Sequence, residues 1–133
     1  MVIGVSRFGT LEWWKDFENV WNSDETILSA LKGFSFTAVY KMSDAPPDMK
    51  PIFQKTEDGK VVETRYVEPS DETEYVFEAK RDVWKGLLMG QINPTMAMLK
   101  KDLAVKGSWG KLMKRMKGFS RLLELLKVVK TEW

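Results

Sequence analysis

The first part of the chain carries apolar residues at the spacing of an α-helix. Over residues 11–21 they recur every three or four positions, directly after Thr10, which is a good helix N-cap. Residues 22–25 then resemble a capping box, with Glu25 three positions after Asn22. The pattern predicts a helix over about 10–21 and a short second helix that ends near Gly33.

From residue 34 the apolar period shortens from 3.6 to 2, which is typical of a half-buried strand. One face collects alternate residues over 34–42, namely Phe34, Phe36, Ala38, Tyr40 and Met42. Further strands are predicted over 52–55, 60–67 and 75–80. The Asp58-Gly59 pair between the second and third strands is a hairpin turn signal.

Helical spacing returns after Lys80. Asp82 is predicted to cap a short helix that ends at Gly90, and Asn93 is predicted to cap another that begins with Pro94. A short fifth strand is expected over 103–106.

Ser108 is predicted to cap the longest helix of the chain. Its apolar stripe consists of Trp109, Leu112, Met113, Met116, Phe119, Leu123 and Leu126. Because the strands are grouped rather than alternating with helices, the order of elements predicts an α+β fold. We expect a five-stranded, mostly antiparallel sheet with helices packed on one face.

Composition narrows the function classes. A chain of 133 residues fits a single domain over residues 1–133. The absence of Cys and His excludes disulfides, thiolate or imidazole metal sites and Ser-His-Asp catalysis, and the acidic segments fall on turn signals. We therefore expect no enzyme, no metal and no cofactor. The N-terminal residues lack the apolar stretch of a signal peptide, so we expect a cytoplasmic protein.

Charge is distributed unevenly along the chain. Residues 1–79 hold 8 Lys and Arg against 15 Asp and Glu, a net of −7, while residues 80–133 hold 13 against 4, a net of +9. The C-terminal helix therefore presents a basic face suited to an anionic membrane surface or an acidic partner. Packing of an acidic half against a basic half would produce the same asymmetry. No nucleic-acid motif is present, and we expect no nucleic-acid partner.

Methionine and aromatic residues are concentrated in the second half of the chain. Five of the eight Met residues fall in the predicted helices after residue 80, together with Trp84, Trp109 and Phe119. Such residues form ordinary core, or an adaptable wall around an apolar guest. The pattern alone leaves both interpretations open.

The order of features over residues 75–126 resembles the sterol carrier protein type 2 family. The features are a strand, Asp82, Trp84, the apolar pair Leu87-Leu88, Gly90, the Asn93-Pro94 step, a helix with small residues, and a strand ending at Gly107. Lys101 and Ser108 stand where the family usually has Gly and an acidic residue. The resemblance implies an apolar tunnel between sheet and helices that takes fatty acyl, sterol-like or other lipids without chemistry.

On this basis we expect a lipid-binding or lipid-transfer protein, and the following residues to line or gate its cavity: Phe36, Tyr40, Trp84, Leu88, Met98, Met113, Met116 and Phe119. Lys114, Arg115 and Lys117 are expected to contact a ligand head group or a membrane surface. The alternative is an interaction module of the same fold with a filled core, which uses the basic helix to bind an acidic partner. Neither the ligand nor the oligomeric state follows from the sequence.

Overall fold

The computed structural model describes residues 5–133 and has two helices before its main sheet. Helix α1 spans Leu11–Asn22 and α2 spans Glu25–Ala30. The Thr10 side chain caps α1 by accepting from the Trp13 N–H, as predicted. The predicted capping box is wrong, because Asp24 caps α2 and Asn22 instead pairs with both backbone groups of Val61. Asn22 thereby ties the end of α1 to the sheet.

Five strands form the main sheet among the described residues. They are β2 (Phe36–Met42), β3 (Ile52–Glu57), β4 (Lys60–Tyr66), β5 (Tyr75–Ala79) and β6 (Ala104–Lys106), arranged in the order β4-β3-β2-β5-β6. Only β2 and β5 run parallel to each other, so the prediction of a mostly antiparallel sheet is confirmed. The predicted turn joins β3 to β4, with Asp58 and Gly59 both at positive φ.

Helices follow β5 as predicted, with one different cap. Helix α3 spans Arg81–Leu88 and α4 spans Pro94–Leu99. Asn93 caps α4, but Asp82 lies inside the first turn of α3 and is not its cap. Instead, the Arg81 N–H at the start of α3 donates to the Asp44 carboxylate at 2.8 Å. A loop far away in the sequence therefore supplies the hydrogen-bond acceptor for this helix end.

The C-terminal helix is broken in two. Ser108 caps α5 (Trp109–Lys114), and α6 (Met116–Leu125) begins after Arg115, whose backbone is not helical. The prediction of one longest helix here is therefore wrong, since α1 is longer than either piece. Arg115 donates to the Lys32 carbonyl, and its guanidinium lies 5.4 Å from the centre of the Phe34 ring.

A small parallel pair joins the two ends of the described chain. Strand β1 (Ser6–Arg7) pairs with β7 (Thr131–Glu132), and neither was predicted from the sequence. The Phe8 N–H then donates to the Glu132 carbonyl at 2.9 Å. This pairing brings Phe8 to 5.3 Å from Trp133 and 6.1 Å from Trp84, measured between ring centroids.

The core lies between the helices and one face of the sheet. Alternate residues of β2 and β5 point into it, as the period of 2 predicted. From the helical side, Trp14 packs on Tyr40 and Phe119 packs on Phe36. The α+β class and the helix-covered sheet are thus confirmed. No helix in the described range is both long and apolar enough to cross a membrane.

Candidate ligand-binding site

The eight residues predicted to line a cavity fall into two groups. Six are buried in the core, namely Phe36, Tyr40, Trp84, Leu88, Met98 and Phe119. Met116 is half-buried at the edge of the core, and Met113 is 60% exposed. The middle of the core is filled by rings, because Phe119 lies 5.3 Å from Phe36 and 5.4 Å from Tyr75 between centroids. The lining role of the eight stays a prediction.

Open space lies at one end of this core, in a cavity of about 80 Å³ that we call the Tyr40 cleft. Of the predicted residues it brings together Tyr40 and Trp84. Its walls are Phe8, Gly9, Trp14, Tyr40, Lys41, Met42, Ala45, Met49, Lys50, Pro51, Ile52 and Trp84. Such a volume holds several water molecules, and it is below the roughly 300–1,000 Å³ of a pocket for a drug-sized ligand.

Aromatic rings form the fixed side of the Tyr40 cleft. Tyr40 stacks on Trp14 at 4.5 Å, and Trp14 meets Trp84 edge-on at 6.2 Å. The Trp84 Nε1–H donates to the Lys41 carbonyl at 3.2 Å, which anchors the indole to β2. Ring pairs at these distances and angles are favourable beyond their buried area. This side of the cleft is therefore pre-formed.

Methionine forms the adaptable side. Met42 ends β2, and Met49 comes from the loop that leads to β3. Met49 packs into the space above Gly9, where an added Cβ would lie 2.6 Å from the Met49 Cε. Gly9 also has a φ of 91°, in the left-handed region that favours glycine. Both the close contact with Met49 and the backbone conformation therefore favour glycine at this position. Met side chains change rotamer at low energetic cost. The Met49 side chain can therefore move away from Gly9 and open this side of the cleft.

Tyr40, one of the wall residues, carries a buried polar atom. Its hydroxyl is buried and has no hydrogen-bond partner among residues 5–133. Burial raises the pKa of the Tyr40 phenol far above its usual value near 10, so the group stays protonated at any physiological pH. An unpaired buried hydroxyl is costly, with a typical penalty of about 1–3 kcal/mol. Because it is buried, the hydroxyl oxygen is closed off from a water-sized group in the cleft that Tyr40 helps to line.

The predicted head-group residues lie elsewhere. Lys114 and Lys117 are exposed on α5 and α6, and Arg115 is half-buried against Lys32 and Phe34. None of the three lines the Tyr40 cleft. Their contact with a head group or a membrane stays a prediction.

Most residues of the cleft walls were not predicted from the sequence. Phe8 reaches the site through the β1–β7 pairing, and Met49 and Pro51 reach it through an irregular loop. These segments have no hydrophobic period, so no facing could be assigned to them. The available signal was local: the loop between two strands carries Met42, Ala45 and Met49 among its polar residues.

Comparison with protein-family models places most of the chain in one family. Residues 17–120 match the model of the SCP-2 sterol transfer family. This chain belongs to that family. The matched range runs from α1 into α6 and includes Tyr40 and Trp84, whereas Phe8 and Gly9 lie before it. No curated protein sequence matches the chain at a significant level.

Solved structures share the SCP-2 fold with this chain at low sequence identity. A crystal structure of sterol carrier protein 2 is 20% identical, with a TM-score of 0.82 over 92% of this chain and 99% of that one. TT1886 from Thermus thermophilus, described as possibly a sterol carrier protein, is 19% identical, with a TM-score of 0.75 over 97% of each chain. Apo sterol carrier protein 2 from Yarrowia lipolytica is 13% identical, with a TM-score of 0.53 over 86% of this chain and 88% of that one. These likenesses establish the fold.

Proposed function

We propose that this protein is a single-domain, non-catalytic carrier of the cytoplasm that holds a fatty acyl, sterol-like or isoprenoid ligand in an apolar cavity. Membership of the SCP-2 sterol transfer family supports a lipid-binding or lipid-transfer role. The observation that carries the proposal is the Tyr40 cleft, because it joins a fixed aromatic wall to a movable methionine wall.

Ligand uptake in this proposal requires movement of side chains. The cleft has about 80 Å³ of space, so a full acyl chain enters only if Met42 and Met49 swing away and the apolar core beside them opens. Burial of the chain drives this movement, since each CH₂ removed from water contributes about 0.8 kcal/mol. Few polar contacts are needed for such binding.

Mass spectrometry of the purified protein tests the proposal. We expect native spectra to contain a bound lipid and denaturing spectra to release it at near-stoichiometric occupancy. Filling the cleft with Met49→Trp should abolish occupancy. Met89→Trp is the matched control, because Met89 is an exposed residue after α3 that lies outside the cleft walls. An empty wild-type protein that also fails to bind a dansyl-labelled fatty acid would contradict the carrier function.

A second candidate is an interaction module with a filled core. The ring-filled middle of the core favours it, as do the exposed side chains of Met113 and Trp109 beside the lysines of α5. Salt separates the two candidates, because binding through exposed charges weakens between about 50 and about 500 mM salt, whereas burial of an apolar ligand does not.

A further inference from the structure

Helix α5 exposes most of its surface. Leu112 is the only one of its six residues that is buried, whereas Met113 is 60% exposed and Trp109 is 42% exposed. Trp109 and Met113 are four positions apart, so they are neighbours on one side of the helix. Together they form an apolar strip on the outside of the protein, which we call the α5 edge.

The Trp109 indole is anchored through its one polar atom. Its Nε1–H donates to the Val105 carbonyl of β6 at 3.2 Å. Because this N–H is the only polar group of the indole, the exposed part of the ring is carbon surface. Carbon surface in water gains free energy when it enters an apolar environment. The α5 edge is therefore suited to an apolar partner.

Basic residues dominate the segment that carries the α5 edge. Residues 103–123 include six Lys and Arg and no Asp or Glu. Both arginines are bonded inside the protein, Arg115 to the Lys32 carbonyl and Arg121 to the Asp24 carboxylate. The outward charge therefore comes from lysines. By contrast, the longest helix, α1, carries three Asp and Glu against one Lys.

We infer that α5 docks the protein on an anionic lipid bilayer, with Trp109 and Met113 inserted at the boundary between head groups and acyl chains. An apolar strip flanked by lysines is the pattern of helices that lie in this layer. Lysine is a compact charge on a flexible stem, so it suits a fluid layer of phosphates better than the fixed geometry of an acidic protein. Tryptophan is also enriched at membrane interfaces. The inference goes beyond the proposed function, because neither residue lines the Tyr40 cleft.

Fluorescence quenching tests whether α5 enters the bilayer. The protein is titrated with vesicles of equimolar phosphatidylglycerol and phosphatidylcholine, in which the phosphatidylcholine carries bromine on its acyl chains close to the glycerol. Bromine quenches tryptophan only at short range, and four of the other five tryptophans are buried. We expect quenching in the wild-type protein and loss of most of it in Trp109→Phe. Brominated phosphatidylcholine alone should quench little, because it does not attract the lysines.

Met113→Ser measures the apolar contribution to docking. We expect it to lower the vesicle affinity about tenfold, because the inserted thioether is replaced by a polar group. Met89→Ser is the matched control: Met89 is 54% exposed and follows α3, and its neighbour Gly90 lies beside the Lys127 side chain, beyond the end of α6 that is opposite α5. We expect it to leave the affinity unchanged. Both side chains are exposed, so both variants should fold, and their melting temperatures check this.

The results separate insertion, placement and docking. If Met113→Ser binds as tightly as the wild-type protein, or if the quenching persists in Trp109→Phe, insertion of α5 is overturned. If Met89→Ser weakens binding as much as Met113→Ser, the placement on α5 is overturned. If the wild-type protein does not bind these vesicles, docking on a bilayer is overturned in favour of an acidic protein partner. The carrier function is tested separately, since its ligand occupancy is measured without vesicles.

Discussion

Lys101 is the residue whose backbone conformation fits its side chain least well. Its φ is 64°, in the left-handed region where a Cβ crowds the following carbonyl at a cost of about 1–2 kcal/mol. The sequence resemblance indicated that the family usually has Gly at this position. The loop between α4 and β6 thus makes, with a lysine, a turn whose backbone conformation suits glycine.

Replacement of Lys101 by Gly should therefore stabilise the protein. We expect Lys101→Gly to raise the free energy of unfolding by about 1 kcal/mol, measured by urea denaturation, because the relief of backbone strain exceeds the cost of the added chain entropy. Lys100→Gly is the control, since Lys100 has a φ of −81° and gains nothing from glycine. A loss of stability in both variants would contradict the assignment of strain to Lys101.

Individual residues also show which parts of the candidate site could be predicted from the sequence. Tyr40 and Trp84 were predicted to line a cavity because each lies on the apolar face of a regular element. Gly9 and Met49 were not, because their positions depend on a turn and a loop. The Tyr40 hydroxyl illustrates the limit best: its burial is predictable, but the absence of a partner depends on every neighbour at once.

At the scale of elements, the regular strands were predicted well and the helix ends less well. Alternation defined β2 and β5, and Asp58-Gly59 defined the hairpin register of β3 and β4. The break between α5 and α6 could not be predicted from the sequence, because the apolar stripe continues through it. It arises where Arg115 binds the carbonyl of Lys32, a residue 83 positions away.

The close packing of α2 against α6 depends on glycine at position 118, because glycine has no side chain. A Cβ built there would overlap a methyl group of Leu31, whose side chain is fully buried. Overpacking of this kind costs about 1–3 kcal/mol. We expect Gly118→Ala to lower the free energy of unfolding by that amount, as measured by thermal or urea denaturation.

Gly110 provides the opposite control in the neighbouring helix. An added Cβ at Gly110 meets nothing within 4 Å. Ala is favoured over Gly in a helix by up to about 1 kcal/mol, so Gly110→Ala should leave stability unchanged or raise it. Equal destabilisation by the two variants would contradict the assignment of the effect to the close approach of Gly118 to Leu31.

An ion pair links the start of α2 to α6 and makes their packing sensitive to acid. The Arg121 guanidinium donates to both Asp24 oxygens, at 3.0 Å and 2.7 Å. These bonds lower the pKa of Asp24 below its ordinary value of 3.8. A carboxyl with a lowered folded-state pKa contributes stability above its unfolded-state pKa, and that contribution is lost as the pH falls through the folded-state pKa.

Arg121→Gln should therefore destabilise the protein in a pH-dependent way. We expect a loss of about 1 kcal/mol at pH 7, a modest value because Arg121 is partly exposed. The gap to wild type should begin to narrow below about pH 4, where Asp24 of the unfolded chain takes up a proton, and should close as the pH falls through the lower folded-state pKa. Urea denaturation at several pH values measures it. Lys117→Gln, on the exposed side of α6, should show no such dependence, and a gap that is constant with pH would contradict the role of Asp24.

At the scale of the whole molecule, only some of the acidic residues of 1–79 form ion pairs with the basic residues of 80–133. Two ion pairs connect the halves among the described residues, Arg121 with Asp24 and Lys111 with Glu74. Lys114 and Lys117 stay exposed beside Met113, and the nearby Trp109 is 42% exposed. Internal neutralisation therefore accounts for part of the asymmetry, and the remaining lysines form a basic surface around exposed apolar side chains.

This basic surface should bind anionic vesicles. We expect the protein to sediment with phosphatidylglycerol vesicles at about 50 mM salt and to dissociate at about 500 mM, since exposed charges are screened over that range. The double variant Lys114→Gln with Lys117→Gln should bind about thirtyfold more weakly, because each lysine near such a surface contributes about 1 kcal/mol. Lys55→Gln with Lys60→Gln removes the same charge from strands β3 and β4, outside α5 and α6. Equal weakening by both pairs would indicate that net charge drives the binding and would exclude a specific surface at α5 and α6.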